Sequence, residues 1–423
     1  MKTRFVGQLC RGMSGLLLAG AVLFQAAGCG VQVQAADLMD DISPSHVEGK
    51  KADDAFVAAM ADFSLKLFGR AAEEGGNVLI SPLSVSLALA MTANGAAGET
   101  LREMETVLGG NIPLDTLNEY LHAYVDGLPN EEKAKLHIAD SIWFRDEADR
   151  LTVKKDFLQR NADYYGAAAY KSPFDAQTLR DINNWVKQHT DGMIEEILKE
   201  IPPEAVMYLV NAMAFDAEWQ TIYEKSSIRR ESFTTAEGIQ RTVDMMYSTE
   251  AWYLENGSAN GFIKPYKNSR YAFAALLPKE RGDIKEFASS LTGEAFVSLM
   301  RTAEDITVSA ALPRFGYDYG ANLNDILKAL GMPLAFDGNN ADFSSLGRSA
   351  AGNIFIGNVF HKTFIEVDAR GTRAGAATAV EMVDEAAVLT VKTVVLDRPF
   401  VYAILDTETG LPLFIGTVAD IES

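Results

Sequence analysis

An α+β architecture, with large sheets and no doubly wound parallel core, is predicted by three observations along the chain. Helical spacing of apolar residues dominates the first half and strand alternation the second. The two never settle into a regular strand–helix alternation. Met207–Phe215 (MYLVNAMAF) is a near-continuous apolar run, as expected of a strand covered on both faces. The chain has 423 residues, 48% of them hydrophobic, which is enough for a large core in one big domain or two.

In order, Asp53 is placed to cap a helix carrying Phe56, Met60, Phe63 and Leu67 at three- to four-residue spacing. Asn77–Ile80 reads as a short strand. Ser81-Pro82 starts the next helix, with Ser as N-cap and Pro at the first helical position, where no amide donor is needed. Leu83–Thr92 is apolar or small on every side and reads as a buried helix. Leu101, Met104 and Leu108 mark another helix, ended by Gly109-Gly110. Leu136–Phe144 alternates like a strand, and Asp181–Leu198 reads as a helix. Further strands are expected at Arg241–Trp252, Ala272–Leu277, Ile306–Leu312, Asn353–Val367, Val391–Leu396, Phe400–Leu405 and Leu413–Val418, with a helix at Asn322–Leu330.

Residues 1–28 read as a removable address. Lys2, Arg4 and Arg11 precede the apolar run Leu16–Phe24, which is too short to span a bilayer. Ala26-Ala27-Gly28-Cys29 resembles a bacterial lipobox, which makes Cys29 the expected lipid attachment site. The implied location is outside the cytoplasm, lipid-anchored to a bacterial membrane in the periplasm or at the cell surface. Residues 29–50 are polar and rich in small side chains and read as a tether, leaving 51–423 for the folded domain. The only cysteines are Cys10 and Cys29, so the body holds neither a disulfide nor a thiol nucleophile. A formal charge of −20 argues against nucleic acid, which needs a basic footprint.

Gly371–Pro399 is the stretch around which the rest is organised. It opens with small residues, Ala374 to Ala379, and runs on without proline. With period two, Ala376, Thr378, Val380 and Met382 fall on one face, and Ala377, Ala379, Glu381, Val383 and Glu385 on the other. It is written like a strand, though it is far longer than a connection needs to be.

No catalytic constellation accompanies it. The histidines are His46, His122, His137, His189 and His361, none at the spacing of a helical metal pair. There is no G-x-S-x-G, P-loop or H-E-x-x-H. Asn256-Gly257-Ser258 reads as a turn, and Glu73-Glu74 and Glu131-Glu132 as solvated surface. No cofactor and no metal are expected, and the chain is not read as an enzyme.

From Asp53 onward the chain resembles the serpins. Asn77-Val-Leu-Ile-Ser81-Pro82-Leu-Ser84 is similar to the family's N-x-x-x-S-P-x-S. Asn211-Ala-Met-Ala-Phe215 with Trp219 is similar to its N-A-x-x-F…W, and Leu312-Pro313-Arg314-Phe315 to its L-P-K-F. Phe360-His361-Lys362, Gly371-Thr372, Arg398-Pro399-Phe400 and Leu413-Phe414-Ile-Gly416 follow in family order. The resemblance implies three β-sheets with eight or nine helices and an exposed reactive-centre loop at about 373–397. It also implies a monomer that traps proteases covalently, its cleaved loop entering the main sheet as a new strand. In this reading Arg373, Ala374, Gly375, Ala376, Ala377, Thr378 and Ala379 form the hinge. Ser81, Ser84, Asn211 and His361 form a polar shutter under the sheet, and Trp219 the breach above it. The bland reading of His361 is a hydrogen-bonded core histidine.

Family spacing from the hinge puts the scissile bond at Leu389–Thr390; counting back from Pro399 puts it at Val388–Leu389. Leu or Val on the acyl side suits chymotrypsin-, elastase- or subtilisin-like targets, and Val388 before Leu389 suits papain-like cysteine proteases. Two residues depart from the inhibitory pattern: Arg373 stands where relatives carry Glu, and Asp384 falls on the inward face. The competing reading is a non-inhibitory serpin that acts as a binding or chaperone-like module.

Overall fold

The computed structural model describes residues 33–146, 150–201, 206–350, 352–372 and 391–422. Cys29, the hinge residues Arg373–Ala379, Asp384 and the bond at Val388–Thr390 lie outside them. Among the described residues there are nine α-helices. They are α1 (Asp54–Ala72), α2 (Pro82–Ala93), α3 (Gly98–Gly109), α4 (Leu114–Asp126), α5 (Lys155–Tyr165), α6 (Ala176–His189), α7 (Ile284–Ser290), α8 (Gly293–Arg301) and α9 (Asn324–Leu330). The strands before Glu255 are β1 (Ala36–Asp37), β2 (Val78–Ile80), β3 (Ala134–Arg145), β4 (Leu151–Val153), β5 (Ala168–Ser172), β6 (Met207–Glu218), β7 (Ile228–Thr234) and β8 (Gln240–Glu255). After it come β9 (Ala259–Pro265), β10 (Tyr271–Pro278), β11 (Glu304–Pro313), β12 (Phe315–Asn322), β13 (Gly347–Ser349), β14 (Asn358–Val367), β15 (Gly371–Thr372), β16 (Lys392–Val395), β17 (Phe400–Asp406) and β18 (Pro412–Val418).

Seven strands form one sheet in the order β1-β5-β3-β6-β15-β14-β12. A nine-stranded sheet holds β16-β11-β8-β9-β10-β17-β18-β2, with β7 on β8, and β13–β4 is a separate ribbon. α2 is buried along its whole length, as its all-round apolar sequence requires. Ser81 caps it and Pro82 sits in its first turn, as expected. Asp53 caps α1 through the Phe56 amide at 3.0 Å.

Two expectations are corrected. The helix expected over 181–198 runs over Ala176–His189. Asp175 and Thr178 form a capping box at its start, and the chain turns through Asp191 and Gly192, both at positive φ, at its end. The expected tether is docked from Val33 onward. Ala36 and Asp37 pair with Lys171 and Tyr170, and the amides of Gln34 and Ala35 donate to Asp181 Oδ2 at 3.0 and 2.9 Å. Farther along, the Lys50 amide donates to the Glu119 carbonyl and its ammonium lies 4.4 Å from the Tyr120 ring centroid. A polar, small-residue stretch can add to a sheet edge through main-chain bonds alone, which composition does not reveal.

Candidate functional site

The centre of the main sheet contains a seam. β6 and β14 pair directly and in parallel from Tyr208–Asn358 to Met213–Thr363. Above that, β15 lies between them, antiparallel to both: Gly371 opposes Glu218, and Thr372 opposes Ala217 and Val367. Two residues of strand are already wedged into the top of a sheet that is closed below.

The wedge is held by main-chain geometry. Asp368 Oδ1 accepts from the amides of Arg370 and Gly371 at 2.8 and 3.2 Å, which folds residues 368–371 into a tight turn. Gly371 has no substitute: a Cβ there would sit 1.9 Å from the Ala217 carbonyl oxygen. Trp219, 1% exposed, donates its indole N–H to the Asp368 carbonyl at 2.9 Å and its amide to the Arg370 carbonyl at 2.7 Å. Its ring stacks on Tyr266 at 4.5 Å, and the Tyr266 hydroxyl meets Thr372 Oγ1 at 2.5 Å. Trp219 is thus a core tryptophan with a satisfied indole that also holds the turn from which β15 starts.

Below the wedge, Ser81, Ser84, Asn211 and His361 come together, all at most 1% exposed. Asn211 and His361 face each other across the seam. The Ser81 amide donates to His361 Nε2 at 3.1 Å, so the ring proton sits on Nδ1 and is donated to Asn211 Oδ1. Burial pushes the His361 pKa from 6.5 to about 3 and keeps the ring neutral. The Asn211 amide group donates to Ser84 Oγ and, at 2.6 Å, to Asp140 Oδ1; Ser84 Oγ donates to the same carboxyl oxygen at 3.0 Å.

Asp140 was missed in the sequence. Residue 140 is half-buried as a whole, but its Oδ2 is sealed from water with no hydrogen-bond partner. Desolvation raises its pKa from 3.8 to about 8, against the opposing effect of its bonds from Asn211 and Ser84. A signal was available. In Leu136–Phe144, the face that carries Leu136, Ile138 and Ile142 also carries Asp140, an acid on the inward side of the alternation. Tyr266, in the turn after β9, carried no such signal.

Residues 58–421 match the model of the family described as serpin (serine protease inhibitor). The chain belongs to the serpin family. It is 32% identical to an uncharacterized serpin-like protein of Thermococcus kodakarensis, over 85% of this chain and 84% of that one. It is similar to the native-state crystal structure of the thermophilic serpin tengpin, with a TM-score of 0.89 at 50% identity, over 92% of this chain and all of that one. Against tengpin in the latent state the TM-score is 0.78 at 46% identity, over 88% of this chain and all of that one. Serpins are typically protease inhibitors, although some members are non-inhibitory. In this serpin, no group of three or more His, Cys, Asp or Glu side chains among the described residues is placed to hold a metal.

Proposed function

We propose that this serpin inhibits serine proteases with apolar specificity pockets, and papain-like cysteine proteases, by covalent trapping and loop insertion. The observation that carries the reading is the seam: β15 is wedged between β6 and β14 above a stretch where those strands still pair directly. A strand that continues downward from Thr372 would exchange one six-residue pairing for two, so insertion gains main-chain bonds.

The target's nucleophile attacks the bond at Leu389–Thr390 or Val388–Leu389 and forms an acyl-enzyme. Cleavage frees the hinge-side segment, whose inward residues Ala376, Thr378, Val380 and Met382 are small or apolar enough to enter the sheet. His361 parts from Asn211 as the seam opens, while Ser84 and Asp140 retain Asn211 on the β3 side. The protease travels with the loop, and displacing its catalytic geometry by about 1 Å slows deacylation by about 100-fold. Insertion competes with hydrolysis of the ester, so the partition between inhibitor and substrate is set at the hinge. Export and lipid attachment at Cys29 belong to the same proposal, supported by the leader Met1–Gly28.

The test mixes the protein lacking residues 1–28 with chymotrypsin, elastase and papain. A denaturant-stable covalent complex is expected, with the released C-terminal peptide beginning at Thr390 or Leu389. Loop cleavage without complex by every protease would overturn the reading.

A further inference from the structure

Behind Trp219 lies a buried ion pair that the shutter and hinge do not account for. Lys264 on β9 donates to Glu250 Oε1 on β8 at 2.8 Å, with side chains 2% and 7% exposed. The carboxylate also accepts from Ser248 Oγ at 2.6 Å. Two charges removed from water gain nothing in stability over apolar residues of the same volume. Such a pair does fix where its charges sit.

The Lys264 ammonium lies 4.4 Å from the Tyr223 ring centroid and 5.5 Å from that of Trp219. Both rings are nearly dry, so the attraction of cation to ring face is little screened. These are the residues whose main chain grips the start of the loop. Trp219 holds the carbonyls of Asp368 and Arg370, and the Tyr223 amide donates to the Ala369 carbonyl at 2.8 Å. Three consecutive carbonyls, at residues 368, 369 and 370, therefore depend on two aromatic residues that share one buried cation. Glu250 holds that cation through a charge-assisted hydrogen bond.

We propose that Lys264, held by Glu250, is a positioning residue for loop insertion, clamping the turn at 368–371 as a fixed pivot. The inference rests on the loop-insertion reading above. The turn is where β14 reverses direction into β15, so it stays in place while every later residue passes downward. A fixed pivot feeds the hinge into the seam in a single register. A loose one delays insertion, and delay favours hydrolysis of the acyl-enzyme. Neither residue shows this in sequence: Glu250 stands in an alternating strand, where an acid reads as solvent-facing.

The decisive variant is the double substitution Glu250→Leu/Lys264→Met, which removes the pair without leaving one charge buried alone. Tyr223→Leu is the second variant; it leaves the ion pair intact and removes one of the two rings. Hydrogen exchange is measured on the unliganded proteins for the amides of Trp219 and Tyr223. At least tenfold faster exchange is expected in both variants, with exchange in β17 and β18 unchanged. With a protease that the parent protein traps, the number of inhibitor molecules consumed per protease should at least double, while the rate of initial loop cleavage stays the same. Lys264→Arg should restore both values towards those of the parent. Parent-like exchange at Trp219 and Tyr223 in either folded variant would overturn the pivot. Failure of the parent to trap any protease would count against the inhibitory function alone, because the exchange measurement needs no protease.

Discussion

Asn211 and His361 face each other where β6 and β14 pair directly in the main sheet, and their side chains hydrogen-bond there. Ser81 fixes the tautomer from below through Nε2, so the imidazole is a donor across the seam at any pH above about 3. Asn211 is the hub. It accepts from His361 and donates to Ser84 and Asp140.

Asn211→Ala strands the buried His361 ring proton and removes a donor from both the Asp140 carboxyl and the Ser84 hydroxyl, which keep only their bond to each other. Each unmet buried group costs roughly 1–3 kcal/mol. The uncut protein should lose about 2–4 kcal/mol to urea unfolding and convert spontaneously to a loop-inserted form several-fold faster on warming. An unchanged conversion rate would remove Asn211 from the latch.

Asp140 gives the protein an alkaline limb. In the fold its carboxyl stays protonated up to about pH 8, whereas in the unfolded chain it ionises near 3.8. The folded state therefore binds more protons between these values, and stability falls as pH rises through that window. His361 acts with the opposite sense. It is neutral in the fold down to about pH 3 and takes a proton below 6.5 when unfolded, so its contribution is lost as pH falls from 6.5 to 3. Between pH 6.5 and 8 the contribution of His361 has largely ended and that of Asp140 falls by up to about 1.4 kcal/mol per pH unit. Asp140→Asn should abolish a loss of about 1–2 kcal/mol over this interval. Urea midpoints at pH 6.5 and 8 check it, and equal slopes in parent and variant would contradict it.

Gly371→Ala places a methyl group against the Ala217 carbonyl oxygen. Main chain cannot move aside as a side chain does, so β15 should leave the sheet at a cost of about 1–3 kcal/mol. Exchange protection of Gly371 and Thr372 should vanish while that of β6 below Met213 persists. Retained protection would show that the wedge tolerates a side chain.

Ala376→Arg puts a long charged side chain on the inward face of the hinge. Desolvating it during insertion is slow, so the variant should be cleaved as a substrate while keeping the parent's melting temperature. A complex yield equal to the parent's would argue that the hinge does not enter the sheet.

The fold was legible because long-range order was written in short local signals. Ser81-Pro82, the apolar run at Met207–Phe215 and the alternation at Leu136–Phe144 each specified an element, and their succession specified the family. Ser81, Ser84, Asn211 and His361 were legible only through the family resemblance, which implied that they cluster, and the structure gathers them into one hydrogen-bonded cluster. Asp140, Tyr266, Glu250 and Lys264 were not, because their importance lies in partners between 14 and 106 residues away in the chain. The docking of residues 33–50 was hidden because it relies on main-chain bonds to β5 and on a carboxylate in α6.

The central claim is that the loop must part β6 from β14, and a reversible lock tests it most directly. Ala212 and Lys362 are register partners across the seam, and neighbouring strands place Cα atoms within disulfide reach. With Cys29 replaced by Ser in the protein lacking residues 1–28, Ala212→Cys/Lys362→Cys creates a single possible bridge. Oxidised, this variant should be cleaved in the loop by chymotrypsin without forming a denaturant-stable complex, and reduction should restore complex formation to the level of the parent. A full yield of complex from the oxidised variant would contradict insertion between these two strands.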